Sequence, residues 1–232
     1  MERTVTWGGL HNARDLGGLP AASGTTQFGR FFRAPLLDGL GADGWQSLAD
    51  AGIGTIIDLR NADEIAELEI PTHVERHIRP VEDQSDRGFM ARWAAHLNSP
   101  IYYPAVLAQW PVLLVSLFQE FALAPEGGIV FHCAAGRDRT GMISAMLLQL
   151  VGVTDDAIVA DYLLGVTATN DYLLAEDGPR ERPKDATELA NWAADTEGHL
   201  RAFLAATDTE AYLLANGLSD HEVEAIRTRL LR

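Results

Sequence analysis

The stretch from Gly128 to Val151 constrains this 232-residue chain more than any other. Gly128-Ile129-Val130-Phe131 is a short apolar run of the kind that forms a buried strand. Gly141 to Val151 is apolar almost all round, which predicts a core helix. Between them runs His132-Cys133-Ala134-Ala135-Gly136-Arg137-Asp138-Arg139-Thr140-Gly141. A loop that passes from a strand into a helix points several backbone N–H groups to one place, and the helix dipole adds positive potential there. The result is a cradle for a multiply charged anion such as phosphate.

The rest of the chain builds an α/β fold around that unit. Gln27–Arg33, Gly54–Leu59 and Val74–Val81 read as further strands, and Asp43–Ala51 and Ala62–Glu69 as helices. Pro104 to Leu123 predicts one amphipathic helix, with Trp110, Leu113, Leu114, Leu117, Phe118 and Phe121 on its inner face. Strands alternating with helices imply a mostly parallel central sheet flanked by helices. After Val151 the pattern is helical: Asp155–Leu164, Asp171–Ala175, Glu188–Leu204, Thr209–Ala215 and His221–Leu231. Glu176–Ala186, with Pro179 and Pro183, reads as a loop. The expected organisation is one domain over 1–232, with an α/β layer over 1–151 and a helical annex over about 152–232.

Composition excludes several functions. Thirty-three acidic residues against eighteen basic ones give a net charge of −15, which repels nucleic acid and anionic membrane. One cysteine permits no intramolecular disulfide and no thiolate metal cluster. His11, His73, His77, His96, His199 and His221 show no ligand spacing, so neither metal nor other cofactor is expected. No apolar stretch suits a bilayer span: Ala105–Leu123 is interrupted by Gln109, Gln119 and Glu120. Met1–Leu10 has no secretory pattern, so a cytoplasmic location is expected, with signal-less export as the alternative.

Each residue type in the loop has a chemical reason. Cys133 stands where the helix end and nearby cations stabilise a thiolate. Arg139, six positions on, can fold back and grip two phosphate oxygens with its planar fork. Ala134 to Arg139 supply the cradle, and Gly136 allows the backbone to turn. Thr140 is positioned to donate to Cys133, and His132 to order the loop through backbone hydrogen bonds. The combined pattern arises by chance on the order of 10⁻⁶ of the time, so a merely structural cysteine is set aside.

This loop resembles the signature of cysteine-dependent protein tyrosine phosphatases. More narrowly it is similar to the bacterial tyrosine/serine phosphatase family whose loop reads His-Cys-x-x-Gly-Lys-Asp-Arg-Thr-Gly. Asn12-Ala13-Arg14-Asp15-Leu16-Gly17-Gly18, Arg33-Ala34, Asp58-Leu59-Arg60 and Leu214-Ala215-Asn216-Gly217-Leu218-Ser219 also match that family's motifs. The resemblance implies the cysteine-phosphatase fold, a helical lid to which Tyr162–Tyr172 would belong, and metal-free hydrolysis of phosphomonoesters through a cysteinyl-phosphate. The implied partner is a phosphorylated protein or a small phosphomonoester. Arg137 replaces the family's lysine, which is associated with phosphoinositides and with tolerance of several phosphoamino acids. Phosphotyrosine is therefore expected ahead of phosphoinositide.

Two residues compete for the general acid. The related family points to its loop aspartate, Asp138 here, whose other reading is a loop-ordering contact. Many related phosphatases carry an acid on a loop after the strand ending near Val81, which points to Asp83, with Glu82 and Asp86 as lesser candidates. Arg14, Asp15, Asp58 and Arg60 are expected to be structural, with a substrate contact by Arg14 or Arg60 as the alternative. The rival functions are a rhodanese-type sulfurtransferase, whose loop lacks the trailing Arg-Thr-Gly, and a catalytically silent phosphate-binding module, which has no need of Cys133.

Overall fold

In the computed structural model, residues 2–177 and 181–231 are described. The centre is a five-stranded sheet of β1 (Arg14–Asp15), β4 (Phe31–Ala34), β7 (Gly128–His132), β5 (Ile53–Asp58) and β6 (Glu75–Ile78), in that spatial order. β1 runs antiparallel to β4, and the other three pairings are parallel. A small hairpin of β2 (Pro20–Ala21) and β3 (Gly24–Thr25) lies apart. The fold is therefore α/β with a mostly parallel sheet, as the alternation of elements predicts.

All five residues of β7 are buried, which is why its sequence is an unbroken apolar run. Strand alternation sorts the sheet's side chains into two cores. Phe31, Ile57, Ile129 and Phe131 join the larger one, which extends to Leu200, Leu213 and Leu230 at the far end of the chain. Phe32, Ile56 and Val130 join the smaller one with Trp7 and Leu48.

Nine α-helices occur among the described residues: α1 (Ala42–Asp50), α2 (Arg87–Trp93), α3 (Tyr103–Gln109), α4 (Pro111–Leu123), α5 (Asp138–Leu150), α6 (Asp155–Ala175), α7 (Ala186–Ala206), α8 (Thr209–Ala215) and α9 (Asp220–Leu231). No single helix among them is long and apolar enough to cross a membrane.

Five expectations change. The strand expected over Gln27–Arg33 starts only at Phe31, because the chain turns at Phe28–Gly29 first. The helix expected over Ala62–Glu69 is one 3-10 turn at Ala62–Glu64, because Asn61 and Glu64 cap each other and the chain then extends from Ile65. The helix expected over Pro104–Leu123 is two, bent by 96°. Pro111 offers no amide and forces Trp110 out of helical geometry, to φ −130 and ψ 52. The two short helices expected within Asp155–Ala175 are one helix of 21 residues, α6, with Tyr162 buried in the core and Tyr172 exposed. Helix α2 was not expected. The loop over Glu176–Ala186 is non-helical where described up to Asp185, α7 starts at Ala186, and positions 178–180 lie outside the described residues.

The register brings the ends of three parallel strands into one row: Ala34 beside His132, and His132 beside Asp58. The segments that follow them, beginning at Pro35, Leu59 and Cys133, leave from the same sheet edge. That edge is where open parallel sheets bind ligands.

Candidate active site

Cys133 follows the central strand directly and is 3% exposed. The next three carbonyls are all held from outside the loop. Ala134 O accepts from the Leu36 amide at 2.9 Å. Ala135 O accepts from Asn12 Nδ2 at 3.1 Å, and Gly136 O from Arg33 Nη2 at 2.7 Å. In a planar trans peptide the following N–H points the opposite way. The amides of Ala135, Gly136 and Arg137 are thus turned towards the loop's concave side. Among the described residues, none of these amides donates a hydrogen bond to the protein. Gly136 is required at its position: its φ is +66, and a Cβ would lie 2.7 Å from Ala34 O.

Arg139, at the start of α5, is buried and gives both Nη atoms to Glu64, at 2.5 and 2.7 Å. Its Nε lies 3.7 Å from Glu82 Oε1. The short turn at Asn61–Glu64 therefore serves to hold the fork: Asn61 N donates to Glu64 Oε2 at 2.9 Å. Arg137 is also committed. Its Nε lies 3.1 Å from each Asp138 oxygen, its Nη2 donates to Glu181 at 2.8 Å, and its guanidinium sits 4.8 Å from the centre of the Trp192 ring.

One cavity of about 650 Å3 is lined by Cys133, Ala134, Ala135, Arg137, Asp138 and Arg139 together. Its walls include Leu10, His11, Leu36, Tyr102 and Tyr172, with His11 stacked on Tyr172 at 3.9 Å. Burial raises the Asp138 carboxyl above the usual range, against the opposing pull of Arg137. Glu82, buried on the same cavity, is raised for the same first reason, against Arg139.

The other expected residues fall as follows. His132 is buried, and its Nδ1 donates to Cys133 O at 3.0 Å. Burial, opposed by Asp58, keeps its pKa below the ordinary histidine value. The expected hydrogen bond from Thr140 to Cys133 is absent: Thr140 Oγ1 is buried and makes no hydrogen bond to any described residue. Asp83 does not line this cavity. It is exposed on the turn after β6, accepts from Ser85 N at 2.9 Å and Oγ at 2.6 Å, and is held below the usual carboxylate range by those bonds. Asp86 caps α2 by accepting from Phe89 N at 3.0 Å. Arg14, Asp15, Asp58 and Arg60 lie outside the cavity lining, and Asp58 pairs with Arg60 and Arg76.

Glu64, Glu181 and Asp161 were not singled out in the sequence. Glu64 carried a readable signal, because Asn61 and Glu64 have capping-box spacing. Asp161 carried another, as a lone acid within Ile158-Val159-Ala160-Asp161-Tyr162-Leu163-Leu164. Glu181 carried none.

The family model described as the tyrosine phosphatase family matches residues 5–232. The chain belongs to that family and is a phosphatase. It is 29% identical over 204 residues to a tyrosine-protein phosphatase of Nostoc commune, covering 79% of this chain and 68% of that protein. It is 28% identical over 166 residues to the triple specificity protein phosphatase PtpB of Mycobacterium tuberculosis, covering 58% of this chain and 60% of that one. Among solved structures, a variant of TpbA from P. aeruginosa in complex with pTyr aligns with a TM-score of 0.39 and 17% identity, over 77% of this chain and 87% of that one.

Proposed function

We propose that this phosphatase hydrolyses phosphotyrosine in proteins, and small aryl phosphomonoesters, through a cysteinyl-phosphate intermediate. The observation that carries the reading is the shared cavity. Cys133, three outward-held carbonyls whose following amides face inward, and Arg139 all meet there. In the proposed first step, the Cys133 thiolate attacks phosphorus while the amides and Arg139 stabilise the equatorial oxygens. The bond to the leaving oxygen breaks, and that oxygen takes the Asp138 proton. In the second step, water attacks phosphorus and gives a proton to Asp138, releasing inorganic phosphate and the thiolate. Asp138 suits the acid's role because it lines the cavity and burial strengthens its hold on a proton. Asp83 has neither property.

The aromatic and aliphatic walls favour an aryl leaving group. Arg137 is already shared among Asp138, Glu181 and Trp192, which disfavours a phosphoinositide carrying further phosphates. The shared core from Leu16 to Leu230 supports one domain over 1–232, with the segment after Val151 as an annex to it. A lid role for that annex belongs to the same reading. It requires the described part of the Glu176–Ala186 loop to exchange amide hydrogens faster than the sheet. A cytoplasmic location is part of the reading, on the strength of the single cysteine.

The test is hydrolysis of p-nitrophenyl phosphate in excess chelator, for wild type and Cys133→Ser. Activity that survives chelation and disappears in the variant is the expected result. A folded wild type without turnover would favour the silent binding module, and thiosulfate turnover would favour a sulfurtransferase.

A further inference from the structure

Helix α6 presents Asp161, Gly165 and Thr169, at successive four-residue steps and so on one face, to the back of the loop. Asp161 is 1% exposed and receives Arg33 Nη1 at 2.6 Å, Arg14 Nε at 3.1 Å and the guanidinium of Arg3. Arg33 is fully buried, and its other Nη holds Gly136 O at 2.7 Å. Arg14 Nη1 donates to Asn12 Oδ1 at 2.6 Å. Asn12 Nδ2 in turn lies 3.1 Å from Ala135 O and 3.4 Å from Thr169 Oγ1. Two chains of hydrogen bonds thus run from one carboxylate to two successive loop carbonyls.

Gly165 provides the space for them. A Cβ there would stand 3.1 Å from Asn12 Oδ1 and 3.3 Å from Arg33 Nη2. Glycine inside a 21-residue helix is otherwise unfavourable. Asn12 has a φ of +56, which asparagine tolerates better than most residues. A buried group of charges like this is a poor way to gain stability, since apolar residues of similar volume commonly serve as well or better. Its geometric effect is specific: it decides which way two peptide planes face.

We propose that Asp161 is a positioning residue for the phosphate cradle, turning the Ala135 and Gly136 carbonyls outward through Asn12 and Arg33, with Gly165 leaving room for both. The proposal rests on the reading of Cys133–Arg139 as that cradle. Burial lowers the Arg14 pKa to about 10, offset in part by Asp161, and Asp161 itself is held well below the usual carboxylate range. Both groups accordingly stay charged across the working pH range.

The experiment measures inorganic phosphate affinity by calorimetry, together with kcat/KM and Tm, for Gly165→Ala, Asn12→Gly and Asp161→Asn. Gly165→Ala is the critical variant, because alanine favours the helix while its methyl group pushes on Asn12 and Arg33. The expected result is phosphate affinity and kcat/KM both reduced about fivefold to tenfold, the scale of one weakened hydrogen bond to the loop, in a protein that Tm shows to be folded. Asn12→Gly keeps the backbone conformation, loses the Ala135 contact, and should weaken phosphate by a similar factor. Asp161→Asn should lose both affinity and stability; if it does not fold, the other two variants decide. Wild type that binds phosphate and turns over its phosphomonoester substrate, with Gly165→Ala and Asn12→Gly within twofold of it, overturns the positioning role alone. Wild type that does not bind phosphate overturns the cradle reading and this proposal with it.

Discussion

Replacing Glu64 by glutamine isolates the support of the phosphate clamp. The two Nη atoms of Arg139 reach Glu64 at 2.5 and 2.7 Å, with side chains 10% and 25% exposed. Glutamine keeps one acceptor, loses the charge, and turns an NH2 group towards the guanidinium. A charge-assisted hydrogen bond contributes about 1.5–3 kcal/mol, and the partial exposure of Glu64 reduces that to about 1–2 kcal/mol. Glu82 is then the nearest carboxyl group to Arg139, and it draws the fork off the orientation that Glu64 sets. If the lost orientation appears in the transition state, kcat/KM falls about fivefold to thirtyfold. The assay is kcat/KM on a phosphotyrosyl peptide, with Tm and phosphate affinity measured alongside. The pH dependence has a definite sign. Burial tends to raise the Glu64 pKa, but the hydrogen bonds and charge of Arg139 outweigh it and hold the carboxyl below the ordinary range. A depressed pKa contributes stability that is present above the unfolded value and lost as pH falls through the folded one. Wild type and Glu64→Gln should therefore differ in Tm at neutral pH and converge in acid. A folded Glu64→Gln protein with kcat/KM within twofold of wild type would refute the reasoning.

Three further outcomes follow from the site. Gly136→Ala places a side chain at φ +66 and 2.7 Å from Ala34 O, which costs at least about 1–2 kcal/mol and lowers Tm by roughly 2–8 °C in a thermal melt. Asp138→Asn should lose about a hundredfold in kcat/KM on a poor leaving group and much less on an activated aryl phosphate, whereas exposed Asp83→Asn should stay within twofold on both. Glu181→Gln removes a charge that helps to raise the Asp138 pKa and leaves Asp138 as the one carboxylate among the described residues paired with Arg137. The alkaline limb of the kcat/KM profile should move to lower pH, and a limb that stays or moves upward counts against Asp138 as the acid.

The central unit was legible in the sequence because its physics is local. A strand buried on both faces must be continuously apolar, and Gly128–Phe131 is. The loop must enter a helix, and α5 begins at Asp138, three residues before the expected start. What failed to show depended on contacts distant along the chain. Glu64 and Arg139 are 75 positions apart, and Asp161 and Arg33 are 128 apart. Local propensity also misjudged α6, because Gly165 reads as a place to stop a helix until Asn12 and Arg33 are seen against it. Ala62–Glu69 failed for the converse reason: a helical pattern gave way because the Glu64 carboxylate is engaged by its own cap and by Arg139.

The electrostatics of the cavity lead to one more test. The chain carries a net charge of −15, and the two guanidiniums at the loop, Arg137 and Arg139, meet four carboxyl groups: Asp138, Glu181, Glu64 and Glu82. Side-chain charge alone cannot make this cavity attractive to a dianion. The attraction must come from the loop amides, which have no hydrogen-bond partner among the described residues, and from protons taken up by the carboxyl groups that burial has raised, Asp138 and Glu82. Protonating either one relieves repulsion against the incoming anion, so binding and proton uptake reinforce each other. Sulfate stays doubly charged through the neutral range and Cys133→Ser removes the thiol, so neither the ligand nor the nucleophile titrates in the experiment. Sulfate affinity of Cys133→Ser, measured by calorimetry from pH 5 to pH 8, should fall as the pH rises, and Glu82→Gln should flatten part of that slope. A profile that is flat across the range would mean that the paired arginines and the amides suffice without proton uptake.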